Sequence, residues 1–222
     1  MSASTRSGVA SRAKMSSFGN QRERVDVQKR LRAACTTFRA LRSEWADARL
    51  ETKDALTIMA NAALELENVH LIKLPRTLAS DELREALKLR REEALVKARD
   101  AVIECASHVA NIRADFEKLA DTDRYVAMGS DCGLSYPDDG PVFKTLTFKE
   151  FRRAFESVNS MYVEDIKSKE ELLEKISDAD AMTKMNRDMY LAIISLWILD
   201  PYLNVEAVDE FDELILRAEL GY

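Results

Sequence analysis

Glycine and proline are scarce, six and four in 222 residues, so little in the chain breaks long regular elements. Aromatic residues make up 7%, and no long run of alternating β-branched residues appears, which argues against a substantial sheet. Only two histidines occur, His70 and His108. Metal sites in helical bundles pair a Glu with a His three residues on, and repeat that pair on a second helix. Here Glu104 and His108 are four apart and no second histidine-bearing helix exists. The three cysteines, Cys35, Cys105 and Cys132, have no metal-ligand spacing, and their odd number gives no disulfide framework, as expected in a reducing compartment. Glycine-rich phosphate loops, a secretory signal and a membrane-length apolar run are not found in the sequence.

What is present is charge and apolar periodicity. Hydrophobic content of 46% with 32% charged residues fits a helix-rich folded protein rather than a disordered one. The net charge of -6 hides a gradient: residues 1–49 hold eleven Lys/Arg against four Asp/Glu, and the remainder holds 22 against 35. The first 22 residues contain no acid. That composition suits a disordered tail, and a transit peptide or a basic arm touching nucleic acid or an acidic protein surface shares it.

Apolar residues recur every seven positions in two registers from about Arg22 to Val69. One is Leu31, Phe38, Trp45, Thr52, Met59, Leu66; the other is Ala34, Leu41, Ala48, Ala55, Ala62, Val69. Six heptads predict a helix on the order of 70 Å long, and the mostly alanine register lets a facing helix come close. After a loop at Leu74-Pro75-Arg76, Ser80 fits an N-cap for a second helix over Asp81–Leu119. It carries matching registers, Leu95, Val102, Val109, Phe116 and Ala98, Cys105, Ile112, Leu119. A short connection between matched stripes predicts an antiparallel hairpin.

Residues 122–146, with Gly129, Gly133, Pro137, Gly140 and Pro141, read as a linker. Thr147 and Glu150 then form a capping-box pattern. The third helix carries Phe148, Phe151, Phe155, Val158, Tyr162, Ile166, Leu173 and Ile176 on one face. Glu170, Glu171 and Glu174 with Lys167, Lys169 and Lys175 read as its solvated side. Ser177-Asp178-Ala179-Asp180 interrupts it, and Asn204 is positioned to cap a last helix that Gly221 closes. The predicted fold is all-α: a disordered basic tail (1–21), a long antiparallel coiled-coil hairpin (22–121), a linker (122–146) and a small C-terminal helical bundle (147–222).

The segment from Leu191 to Leu199 is apolar almost all round, Ser195 excepted, and Pro201 stops it. It is far shorter than the roughly 20 residues that cross a bilayer. Such a helix needs protein cover, from its own chain or from a partner. Met182, Met185 and Met189 fit either ordinary core or an adaptable groove. Trp197, Pro201 and Tyr202 fit either internal packing or an interface, where Trp and Tyr are enriched.

No constellation for catalysis stands out. Cys105 reads as a small core residue, Cys35 has no partner in the sequence, and Cys132 has no histidine near it to act as a base. An acidic chain of pI about 5.2 without a recognition helix does not read as a nucleic-acid binder. An interaction protein remains.

Several short patterns resemble the cyclin-dependent kinase 2-interacting protein family. They are Phe38-x2-Leu41-x3-Trp45, then Pro141-Val142-Phe143 followed by Phe151 and Met161-Tyr162. The most specific is Ser195-Leu196-Trp197-Ile198-x2-Pro201-Tyr202, followed by a terminal helix with Leu214 and Leu216. Order and spacing match from about Phe38 onward, while the middle of the hairpin is similar only in helical character. Leu146 stands where the family tends to carry a tryptophan, and the N-terminal tail has no counterpart. The resemblance implies a small helical, non-catalytic adaptor without cofactors, working in the nucleus and cytoplasm. It further implies partnership with a second small helical coiled-coil subunit and AAA+ ATPase subunits. Such an assembly remodels proteins during large ribosomal subunit maturation and at replication forks. The alternative, from a different class, is a DNA replication or checkpoint factor that binds cell-cycle kinases and touches DNA through its basic arm; a third reading is a generic coiled-coil tether.

The residues expected to meet partners are Leu31, Phe38, Leu41, Trp45, Met59, Leu95, Val102, Val109 and Phe116 on the hairpin. Trp197, Pro201 and Tyr202 are expected to do so at the C-terminal end. The hairpin seams look too long to be self-sufficient, so a partner is expected to supply the missing helices.

Overall fold

The computed structural model describes residues 7–72, 81–120, 141–177 and 185–220, with side chains from residue 24 onward except those of 217–219. Helix α1 runs Ser7–Glu67, α2 Asp81–Ala120, α3 Phe148–Ser177, α4 Arg187–Ile198 and α5 Val205–Phe211. A short 3₁₀ turn, Val69–Leu71, follows α1, and a π-helical stretch, Asp212–Leu220, follows α5. The fold is all-α, with a long helical hairpin and a small helical C-terminal region. Helix α1 begins at Ser7, well ahead of the start expected near Arg22. The expected loop at Leu74-Pro75-Arg76, the Ser80 cap, the linker glycines, Cys132, the break at 178–180, Met182 and Gly221 lie outside the described residues.

Local signals account for the helix starts and stops. Neither proline nor glycine occurs within α2, α3 or α4, so nothing interrupts their i→i−4 bonding. Helix α3 opens on the capping box. The Thr147 backbone N–H donates to Glu150 Oε2 at 2.9 Å, and the Glu150 N–H donates back to Thr147 Oγ1 at 3.3 Å. These bonds, the backbone one first, hold the Glu150 carboxyl below its usual range. Asn186 and Asn204 cap α4 and α5, each side-chain oxygen accepting from the backbone N–H three residues on. Leu199 ends α4 in extended conformation two residues before Pro201.

The chain divides into two compact units. The first comprises residues 1–40, 116–161 and 204–222. Its core is phenylalanine: Phe38, Phe116, Phe148, Phe151, Phe155 and Phe211 are buried almost completely. Phe38 lies 5.9 Å from Phe116, 5.4 Å from Phe155 and 5.7 Å from Phe211, mostly edge to face. Such offset aromatic pairs add about 0.5–1.5 kcal/mol each beyond area burial. Residues 141–146, read from sequence as the end of a linker, are part of this core. Pro141 bridges to Thr147, Val142 and Phe143 are buried, and Arg24 and Gln28 donate to the carbonyls there. The π-helical turn has i→i+5 bonding, so residues four to five apart share a face; Phe211, Ile215, Leu216 and Leu220 are accordingly buried. Buried Asn159 donates to the Phe116 carbonyl at 3.0 Å. Burial pushes the Cys35 thiol up to about 12, with Arg32 pulling weakly the other way, so at neutral pH it stays protonated.

The second unit comprises residues 41–115 and 162–203. Glu65 of α1 pairs with Arg91 of α2, Thr52 hydrogen-bonds Cys105, and Glu44 meets His108 at 3.3 Å. Going back along α1 thus means going forward along α2, and the pair is antiparallel. Between them both predicted registers are buried: Leu41, Trp45, Ala48, Thr52, Ala55, Met59 and Ala62 against Ala98, Val102, Val109 and Ile112. Each large side chain among these contributes about 1.5–3 kcal/mol by leaving water.

Candidate partner-binding surface

Helix α4 has the highest apolar content in the chain, yet its inward face is a single stripe. Tyr190 and Trp197 are buried and Ile193 and Ile194 half-buried, at the i, i+3, i+4 and i+7 positions of one helix side. Its other sides are open: Leu191 is 51% exposed, Leu196 50%, Ile198 49% and Met189 45%. Leu199 and Tyr202 continue this exposed apolar surface past the helix end. The Ser195 hydroxyl satisfies itself locally on the Leu191 carbonyl at 2.7 Å. Beside Ile198 a hollow of about 360 Å³ is lined by Ala46, Leu50 and Lys53 of α1 together with Trp197.

Directional bonds set this helix in place. Trp197 packs 6.3 Å from Trp45, and its Nε1–H donates to the Arg49 carbonyl at 3.0 Å. The Arg49 guanidinium donates to Asp200 Oδ2 at 2.9 Å and to the Ile198 carbonyl at 3.1 Å. Lys169 completes the network, donating to Asp200 Oδ1 at 2.9 Å and to Asp165 Oδ2 at 2.6 Å, 5.8 Å above the Trp45 ring. Both Lys169 and Asp165 are fully buried. Burial pushes the Asp165 carboxyl up, and the bond and charge of Lys169 pull it back. Two cations and two carboxylates therefore clamp the turn after α4, and the exposed residues on either side of Asp200 are held in a fixed register.

Lys169 was read from the sequence as part of a solvated face, and it lies in the core instead. The signal was there: 162, 166, 169, 173 and 176 are spaced 4-3-4-3, which puts Lys169 in line with Tyr162, Ile166, Leu173 and Ile176. Glu171 and Glu174 are exposed, and Glu170 bonds Arg113 at 2.6 Å. A row on α2 is a second feature that the periodicity did not single out. Leu89, Val96 and Ile103 recur every seven residues on α2 and are 52%, 56% and 40% exposed.

Of the residues expected to meet partners, Leu31, Phe38 and Phe116 are buried in the first unit. Leu41, Trp45, Met59, Val102, Val109 and Trp197 are buried in the second, and Leu95 is half-buried. Only Pro201 and Tyr202 are exposed. Within each unit the seams take their cover from the chain's own helices. Met189 is exposed and Met185 half-buried. Cys35 is buried and Cys105 partly so.

Among the described residues no three His, Cys, Asp or Glu side chains are grouped so as to hold a metal ion. No described helix is long and apolar enough to cross a membrane. No protein-family model matches the chain, and no curated protein gives a significant match to it.

Proposed function

We propose that the chain is a non-catalytic adaptor that holds other proteins together through apolar surfaces left over after its own core is built. The observation that carries this reading is the open outer face of α4, clamped in position by Arg49, Lys169 and Asp200. Contiguous exposed apolar residues on a rigid element mark interaction sites, and Trp and Arg anchors beneath them favour a defined geometry. The row Leu89, Val96, Ile103 on α2 has the seven-residue repeat that a coiled-coil partner helix reads. The resemblance noted above supplies the identities: a second small coiled-coil subunit seated along α2, and an AAA+ ATPase engaged by the α4 end. On this reading ATP hydrolysis takes place in the partner, and the adaptor contributes positioning and client choice in ribosome maturation and at replication forks, in nucleus and cytoplasm.

Purification of the tagged chain from native cells tests the reading. An AAA+ ATPase and a small helical protein are expected in fixed ratio. The double variant Leu196→Asp/Ile198→Asp is expected to lose the ATPase with unchanged melting temperature. Recovery of the chain without either protein, or equal recovery by the variant, overturns the proposal. Recovery of cell-cycle kinases alone would favour the checkpoint alternative.

A further inference from the structure

A second open groove lies within the first unit, independent of the α4 surface. It has a volume of about 530 Å³ and runs between α3 and the α5 stretch. Its apolar lining is Leu146, Val158, Phe211, Leu214 and Ile215. The groove stays open because the facing positions are small: Ala154 and Ser157 on α3, Ala207 on α5. A leucine at any of these would fill it from within.

Its borders carry unlike charge. On the α5 side Glu210 lines the groove, and Glu206 and Asp209 are exposed on the same helix. From Val205 to Leu216 the chain has five acids and no Lys or Arg. On the α3 side Glu150 and Arg153 stand at the edge. The capping bonds from Thr147 lower the Glu150 carboxyl, the backbone bond most. Glu150 and Arg153 offset one another on the α3 side, so the net negative charge of the border lies along α5.

We infer that this groove is a docking site for an amphipathic helix of a partner protein, one with apolar anchors at i, i+4 and i+7 and Lys or Arg along the edge that overlies α5. An apolar groove between helices is the form in which such helices are received. The charge of the α5 wall fixes which edge of the incoming helix faces it, because like charges placed there are penalised. A chain that is itself acidic would be turned away, so the site selects by sign as well as by shape.

The probe is a fluorescein-labelled helical peptide with leucines at that spacing and lysines along one edge. A twin peptide carries glutamates in place of the lysines. With the full-length chain, anisotropy is expected to show binding of the basic peptide only, weakening at least tenfold between low and high salt. In the double variant Glu206→Lys/Glu210→Lys the preference is expected to invert, so that the acidic twin binds and the basic peptide does not. That gain of binding cannot come from unfolding. Filling the groove with Ala207→Trp is expected to abolish binding of both peptides, with circular dichroism unchanged. Equal binding of the two peptides, no binding of either, or no inversion in the variant overturns the inference. So does a requirement that residues 1–22 be deleted before the basic peptide binds, which would make the chain's own basic segment the occupant.

Discussion

Every phenylalanine whose side chain is described falls in the first unit, and both tryptophans fall in the second. The first unit is held by rings in edge and stacked contact around Phe38 and Phe155. Such packing gains mostly from area removed from water, which has no direction, and less from the preferred geometry between rings. The second unit has alanine-rich helix contacts and a network of hydrogen-bonded charges around Lys169 and Asp200. Charged networks in a core add little net stability over apolar residues of equal size, yet they fix geometry sharply. The difference teaches that two cores of one chain can use different chemistry: rings that hide area from water in one, hydrogen-bonded charges that fix the turn after α4 in the other.

Breaking the ionic network should give the largest effect. Lys169→Met leaves Asp165 buried beside an apolar chain, with an expected loss of about 3–5 kcal/mol in urea denaturation at pH 7. Burial raises the Asp165 carboxyl in the folded state and the Lys169 bond and charge hold it down, so removing Lys169 leaves the raising cause less opposed. The favourable contribution of a raised acid is present in full below its unfolded value and fades as pH rises through the folded one. The Lys169→Met penalty should therefore shrink as pH is lowered toward 4, and a penalty independent of pH would refute the clamp.

In the phenylalanine unit Phe38→Ala should cost a comparable amount, about 3–5 kcal/mol, but with no pH dependence beyond that of the parent protein. The comparison is sharpened by Trp197→Phe, which keeps an aromatic ring and removes the donor to the Arg49 carbonyl. A loss of about 1–3 kcal/mol is expected, read by thermal melting. At the small end, Glu65→Gln removes a half-exposed pairing with Arg91, and a change below about 1 kcal/mol is expected in the same assay.

Much of this fold was legible as periodicity. The two registers of α1 and those of α2 are buried nearly as read, because a seven-residue repeat lines one side of a helix and the two helices pack on their matched sides. Thr147 with Glu150, and Asn204, were legible as caps because capping is a bond between near neighbours. Lys169 was misplaced because a lysine is read as exposed unless a partner is known, and one of its partners, Asp200, lies 31 residues away. The open face of α4 was beyond the sequence for a related reason. An all-apolar helix announces that it wants cover, but how many sides are covered depends on which helices reach it.

The order of residues alone determined an all-helical chain, two long matched helices and where most helices begin, since these follow from spacing and from bonds within a turn or two. Only the tertiary structure decided which apolar faces were closed by the chain itself and which charges were taken into the core. Those outcomes depend on contacts between residues distant in sequence, where the cost of desolvating a group is met or left unmet by a neighbour that no local pattern names.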